Sequence, residues 1–274
     1  MKTRIIAAVA LLPLLLAVLV FLPPVCTAVL LALMSAVAAY ELLWGTALLK
    51  HPRLVVYTMV AAAAVCIWCG FGMPYVWGYV GALCFCFVLF GEMLLSHAKL
   101  PFDKILLCMA GGLLIPYLLG SIMRIRSMEL GSAYVLLPFL LAFVSDSGAY
   151  FAGIYLGKHK LAPVISPKKT VEGLIGGVLA TVLGVMIYGL VLHLVFDCRV
   201  NFLYGMIYGI AGSLASVLGD LTFSVIKRQT GIKDYGNLIP GHGGILDRFD
   251  SMTVVGPVTE ALLLILPIAE IVYG

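Results

Sequence analysis

Charge is scarce in this chain: Lys and Arg number 17, Asp and Glu 13, and together they make up 11% of its 274 residues. Hydrophobic residues reach 63% and mean hydropathy is +1.13, against roughly 45–50% apolar usage in a soluble domain. A soluble globular fold is thereby excluded. The short segments of alternating polarity that mark a membrane β-barrel are also missing. What recurs instead is the unbroken apolar run of about 18 residues or more, long enough to cross a hydrocarbon core of about 30 Å as a helix. The expectation is an all-α, polytopic integral membrane protein.

Further absences narrow the reading. Cys66 and Cys69 form a C-x-x-C inside AAAAVCIWCG, but no second pair and no histidine accompany them. Buried small hydrophobes therefore account for them better than a metal or redox centre. The opening MKTRIIAAVALLPLLLAVLVFLPP has a longer apolar run than a secretory signal and no small-x-small cleavage site, so it reads as a first span. The net charge of +4 and pI near 8.6 are modest and spread over loops, which argues against a nucleic-acid partner. No internal repeat or low-complexity linker breaks the chain. It is treated as one membrane domain, with residues 1–132 as N-terminal spans and residues 133–274 as catalytic spans and loops.

Nine spans follow from the apolar runs: Ile5–Leu22, Val25–Leu43, Leu54–Cys69, Tyr75–Leu95, Ile105–Ile122, Ala133–Leu156, Val171–Phe196, Phe202–Ile226 and Met252–Val272. Grouping basic residues by alternate loops puts 14 on one side and only Arg124, Arg126 and Arg199 on the other. One miscounted span would exchange every later loop. The 14-rich side, with the N terminus and the loops 157–170 and 227–251, is expected to face the cytoplasm of a cell-membrane protein.

Within so apolar a chain, KRQTGIKDYGNLIPGHGGILDRFDSM at 227–252 stands out for its charges and glycines. Lys227, Arg228, Lys233 and Arg248 offer donors to phosphate oxygens. Asp247 and Asp250 offer the hard oxygens that Mg²⁺ takes alongside substrate phosphates. Glycines at 231, 236, 241, 243 and 244 permit close backbone approach. Together these parts describe a metal-dependent nucleotide site. Two acids inside spans join them, since a carboxylate in lipid is costly and tends to line a functional cavity. Asp146 lies in FVSDSGAYFAG, and Asp220 lies in SVLGDLTFSVIKR, roughly 9 Å below the basic end of its span. Helix packing is the plainer alternative for both. Glu41, Glu92, Glu260 and Glu270 sit near span ends and are assigned no role; His51, His97, His159 and His193 are read as interfacial. In the loop GKHKLAPVISPKKTVEGLIGG, Thr170 is placed to cap the next helix and Glu172 to sit in its first turn, with Lys169 among the lysines nearby.

Ser224-x-Ile226-Lys227-Arg228, Lys233-Asp234-x-Gly236 and Pro240-x-His242-Gly243-Gly244-Ile245-x-Asp247-Arg248-Phe249-Asp250 together resemble the C-terminal motif of the phosphatidate cytidylyltransferases, or CDP-diacylglycerol synthases. SDSGAYFAGIYLGK and ISPKKTVEG resemble the same family's upstream segments. The resemblance implies transfer of CMP from CTP to phosphatidic acid at the membrane lipid surface, with Mg²⁺ as cofactor. It further implies Asp220 and Asp247 as principal metal ligands, Asp146 and Asp250 as supporting ones, and Lys169, Lys227, Arg228, Lys233 and Arg248 on phosphates. His242 is expected to position a phosphate or the loop. A homodimer is left open as the assembly. Two rival readings stand beside this one: a CTP-dependent polyprenol kinase, which would release CDP, and an ion-coupled secondary transporter.

Overall fold

The computed structural model describes residues 13, 15–97, 99–238 and 243–271. Among them, seven helices are long and apolar enough to cross a membrane: Pro24–Gly45, Pro52–Gly70, Tyr75–Leu95, Phe102–Arg126, Gly131–Leu156, Val171–Phe196 and Phe202–Gln229. These coincide with the second to eighth spans read from hydropathy, and the protein is a polytopic, helical membrane protein. Half of the first expected span, residues 5–12 and 14, lies outside the described residues.

The chain divides into two compact units, one made of residues 1–132 and 229–249, the other of residues 133–228 and 250–274. The first unit contains α1 (Pro24–Tyr40), which runs on through a π-turn at Glu41–Gly45, then α2 (Pro52–Gly70), α3 (Tyr75–Leu95) and α4 (Phe102–Met109). Beyond α4 come a second π-turn (Ala110–Leu114), α5 (Ile115–Leu119) and α6 (Ser121–Arg126). Leu43, Leu49, Leu54, Val55, Phe85, Leu89, Ile105 and Cys108 form its buried core. That core fixes the end of α1, where the π-turn begins.

The second unit follows a short α7 (Gly131–Tyr134) and is built on α8 (Leu136–Leu156), α9 (Val171–Phe196) and α10 (Phe202–Gln229). Small residues let α8 and α9 lie close, as expected where packing rather than hydrophobic expulsion holds helices together. A Cβ on Gly177 would stand 3.0 Å from the Ser145 carbonyl oxygen. Between α8 and α9 the polar loop folds as a hairpin of β1 (Lys160–Ala162) and β2 (Ser166–Thr170). Thr170 then caps α9, its Oγ1 accepting from Gly173 N at 3.1 Å, as the sequence predicts.

The last expected span needs correction. After α11 (Leu246–Phe249) the helix α12 covers only Met252–Ile265, 14 residues, or about 21 Å of rise. Leu266 has φ −134° and ψ 70°, because Pro267 supplies no N–H and crowds the residue before it out of the helical region. The chain continues as β4 (Ala269–Ile271), antiparallel to β3 (Cys198–Val200). Tyr208 OH donates to Leu266 O at 3.1 Å, and at the helix's other end a Cβ on Gly219 would lie 2.9 Å from Asp250 O. Thus α12 starts at the level of Gly219 on α10, well below Gln229, and brings Asp250 in at that depth.

Candidate active site

The second unit gathers most of the expected residues. Asp220 extends from α10 about 14 Å short of Gln229 and forms an ion pair with Lys169, the penultimate residue of β2. The Lys169 ammonium is paired by charge but makes no aligned hydrogen bond, so its donors remain for another acceptor. These two side chains are 24% and 29% exposed, although the Lys169 nitrogen itself is shielded from solvent. Asp146, in the middle of α8, accepts a hydrogen bond from Ser216 Oγ at 3.3 Å, one turn before Asp220 on α10. The neighbouring Ser145 and Ser213 hydroxyls meet at 2.8 Å. Arg228 is exposed and donates from Nε to Ile165 O at 3.3 Å, tying the end of α10 to the hairpin; Lys227 is half-buried beside it.

Asp250 is 7% exposed. Burial and the Asp220 carboxylate push its carboxyl up to about 7, with a smaller push from Asp146, against the pull of the Ser251 amide and Lys227. Asp220 and Asp146 thus both bear electrostatically on the buried Asp250. Among the described residues no group of three or more acids, histidines or cysteines is placed to hold a metal ion. Mg²⁺, however, commonly takes only one or two carboxylates together with substrate phosphates and waters, and Asp220 with Asp250 offers such a pair.

Asp247 and Arg248 sit on α11, in the first unit. Asp247 is 7% exposed, and its Oδ2 accepts from Tyr235 N at 2.7 Å and Gly244 N at 3.0 Å. Arg248 and Lys233 are exposed. His242 lies outside the described residues. The expected use of loop glycines for phosphate approach is revised in part, because at two of them the approaching group is a protein carboxylate. Cβ atoms on Gly236 and Gly244 would each stand 2.5 Å from Glu41 Oε1.

Glu41, assigned no role from its sequence context, is 3% exposed and accepts from Ile245 N at 3.0 Å and Leu246 N at 2.9 Å. Its only signal in the sequence is an acid within LLALMSAVAAYELLWG that lacks a neighbouring cation. His159 is also more than interfacial. Its Nδ1 lies 2.6 Å from Glu172 Oε1, and Glu172 Oε2 accepts from the Lys158 and His159 amides at 3.0 and 3.1 Å. An apolar recess of about 660 Å³ in the first unit, lined by Trp68, Trp77 and Tyr117 among others, carries no acid or base and so no phosphate chemistry.

Residues 2–266 match the cytidylyltransferase family. Over 185 residues the chain is 37% identical to a phosphatidate cytidylyltransferase of Staphylococcus epidermidis, covering 67% of this chain and 68% of that protein. It is 39% identical over 179 residues to the phosphatidate cytidylyltransferase of Staphylococcus saprophyticus, covering 65% and 66%. The Staphylococcus aureus protein of the same name is 37% identical over 179 residues, with the same coverage.

Proposed function

The chain belongs to the cytidylyltransferase family, and on that basis we infer that it is a phosphatidate cytidylyltransferase: it transfers CMP from CTP to phosphatidic acid, forming CDP-diacylglycerol and pyrophosphate. The observation that carries this reading is the likeness to relatives of that name, joined to a charged cluster at the end of an otherwise apolar helix bundle. A phosphatidate oxygen forms the new bond to the α-phosphorus of CTP as the bond from that phosphorus to the pyrophosphate oxygen breaks, so no protein nucleophile is needed. The protein's task is to bring two polyanions together and to offset their repulsion.

In this scheme Lys169, Lys227 and Arg228 are the phosphate-binding candidates of the second unit; Lys233 and Arg248 are those of the first. Asp220 and Asp250, with Asp146 in support, would hold Mg²⁺ together with the substrate phosphates, and the ion would supply charge neutralisation to those phosphates and to the leaving pyrophosphate. Relief of the repulsion that raises Asp250 supports this assignment. The 14-to-3 distribution of basic residues supports a cell-membrane protein with its N terminus, hairpin and charged loop on the cytoplasmic side. Both substrates are then available at one surface: CTP from water and phosphatidate from the inner leaflet.

Purified protein incubated with CTP, Mg²⁺ and phosphatidate vesicles is expected to yield pyrophosphate and CDP-diacylglycerol in equal amounts. CDP with a newly phosphorylated lipid alcohol would establish the kinase chemistry instead, and no nucleotide turnover at all would overturn the enzyme reading.

A further inference from the structure

Glu41 stands at the first residue of a π-turn, a helix irregularity often found at functional sites. At 3% exposure its carboxylate is expensive to bury unless every oxygen is matched. The matching groups are backbone amides more than 200 residues away in sequence: Ile245 N on Oε1 and Leu246 N on Oε2. Charge-assisted bonds of this kind are stronger than ordinary amide–carbonyl pairs. The same π-turn offers a second contact, since a Cβ on Gly45 would stand 2.5 Å from the carbonyl oxygen of Tyr235.

Asp247 completes the arrangement from within the loop by accepting from Tyr235 N and Gly244 N. Four successive or facing amides, those of Tyr235, Gly244, Ile245 and Leu246, therefore point at two fixed carboxylates. Gly236 and Gly244 lie so close to Glu41 that a side chain at either position would have to displace the Glu41 carboxylate. Lys233 and Arg248 remain on the exposed side of the same segment.

We propose that Glu41 is a positioning residue for cytidylyl transfer: its buried carboxylate receives the amides of Ile245 and Leu246 and so fixes the segments 233–238 and 243–249, on which Lys233 and Arg248 are held ready for the phosphates of CTP. The proposal rests on the function given above. Glu41 touches no reacting atom in this scheme; it acts through the backbone it holds. The signature to expect is a loop that opens without loss of the rest of the fold.

Glu41→Gln keeps one acceptor oxygen and sets an NH₂ donor against an amide that needs an acceptor. Loss of charge-assisted bonds to amides corresponds to about 10- to 100-fold faster loop opening. Hydrogen exchange of full-length protein in detergent is expected to rise by that factor in peptides spanning 229–249 and to stay unchanged in α8 and α9. Per folded enzyme, KM for CTP is expected to rise about 10-fold or more while KM for phosphatidate holds. Glu92→Gln, an acid of the same unit bonded to Tyr57, serves as the control that changes neither. If Glu41→Gln fails to accumulate, Gly236→Ala approaches the same contact from the loop and is read by the same two measurements. Unchanged loop exchange in folded protein overturns the proposal, as does faster exchange with an unaltered KM for CTP. Wild-type protein that makes no CDP-lipid would sink the function reading alone, because the exchange measurement judges the Glu41 contact without turnover.

Discussion

The two units use carboxylates in different ways. In the first, Glu41 and Asp247 are each met by backbone N–H groups, which ties Tyr235 and residues 244–246 to them. In the second, Asp220 and Asp146 bear on Asp250, with Lys169 and Lys227 nearby, and the result is a raised carboxyl at Asp250. Amides that meet an acid tie it into the fold, whereas Asp250, raised by burial and by Asp220, gains from positive charge that a diffusing ion can bring. The same residue type thus serves as scaffold in one unit and as site in the other.

Substitutions can break this comparison, and the largest effect is expected in the second unit. Asp220→Asn should lower turnover on the order of 10²-fold or more, as for loss of a leading electrostatic group, and shift the Mg²⁺ dependence of the residual rate to higher concentration. Asp247→Asn should also lose activity, but by loosening the loop: exchange over 229–249 should rise and the Mg²⁺ dependence of what remains should match wild type. A shifted Mg²⁺ curve for Asp247→Asn would abolish the distinction and return Asp247 to the metal-ligand role expected from the sequence.

A smaller effect is expected from pH. The Asp250 carboxyl is raised from 3.8 to about 7 in the folded protein, so between those values the folded state keeps a proton that the unfolded chain has lost. In chelator, thermal stability should therefore be greatest near pH 4, fall as pH rises to about 7, and level off above that. Asp250→Asn should flatten the fall, and Mg²⁺ added to wild type above pH 7 should recover stability. If stability instead rises over that interval in both proteins, the crowding of acids is not what distinguishes the second unit. The least effect is expected at Thr170→Ala, which removes the α9 cap and should cost about 1 kcal/mol, seen as a lowered unfolding midpoint with Mg²⁺ dependence intact.

Much of the architecture was legible because lipid imposes it. Spans two to eight follow from apolar runs alone, and Thr170 announces its cap by local chemistry. Glu41 escaped notice because its partners are main-chain amides, which have no residue identity and leave no charge pattern to pair with. The shortened α12 was hidden in a run that stays apolar through Pro267, where hydropathy continues but hydrogen bonding does not. The hairpin at 160–170 and the His159–Glu172 contact likewise depend on chain reversal rather than on periodicity. For the site itself, sequence identified the acids and bases but did not separate those that meet amides from those that meet one another.

The interleaving of the two units also sets an order for biosynthesis. Residues 229–249 belong with the first 132 residues, and residues 250–274 belong with 133–228. The first unit therefore emerges from the ribosome and enters the bilayer without the segment that satisfies Glu41, and it waits in that state through the synthesis of almost 100 further residues. A chain released after Arg228 would carry an acid in its second span with no amides to receive it. Completion of the first unit thus waits on the arrival of the charged loop, whose amides receive that acid.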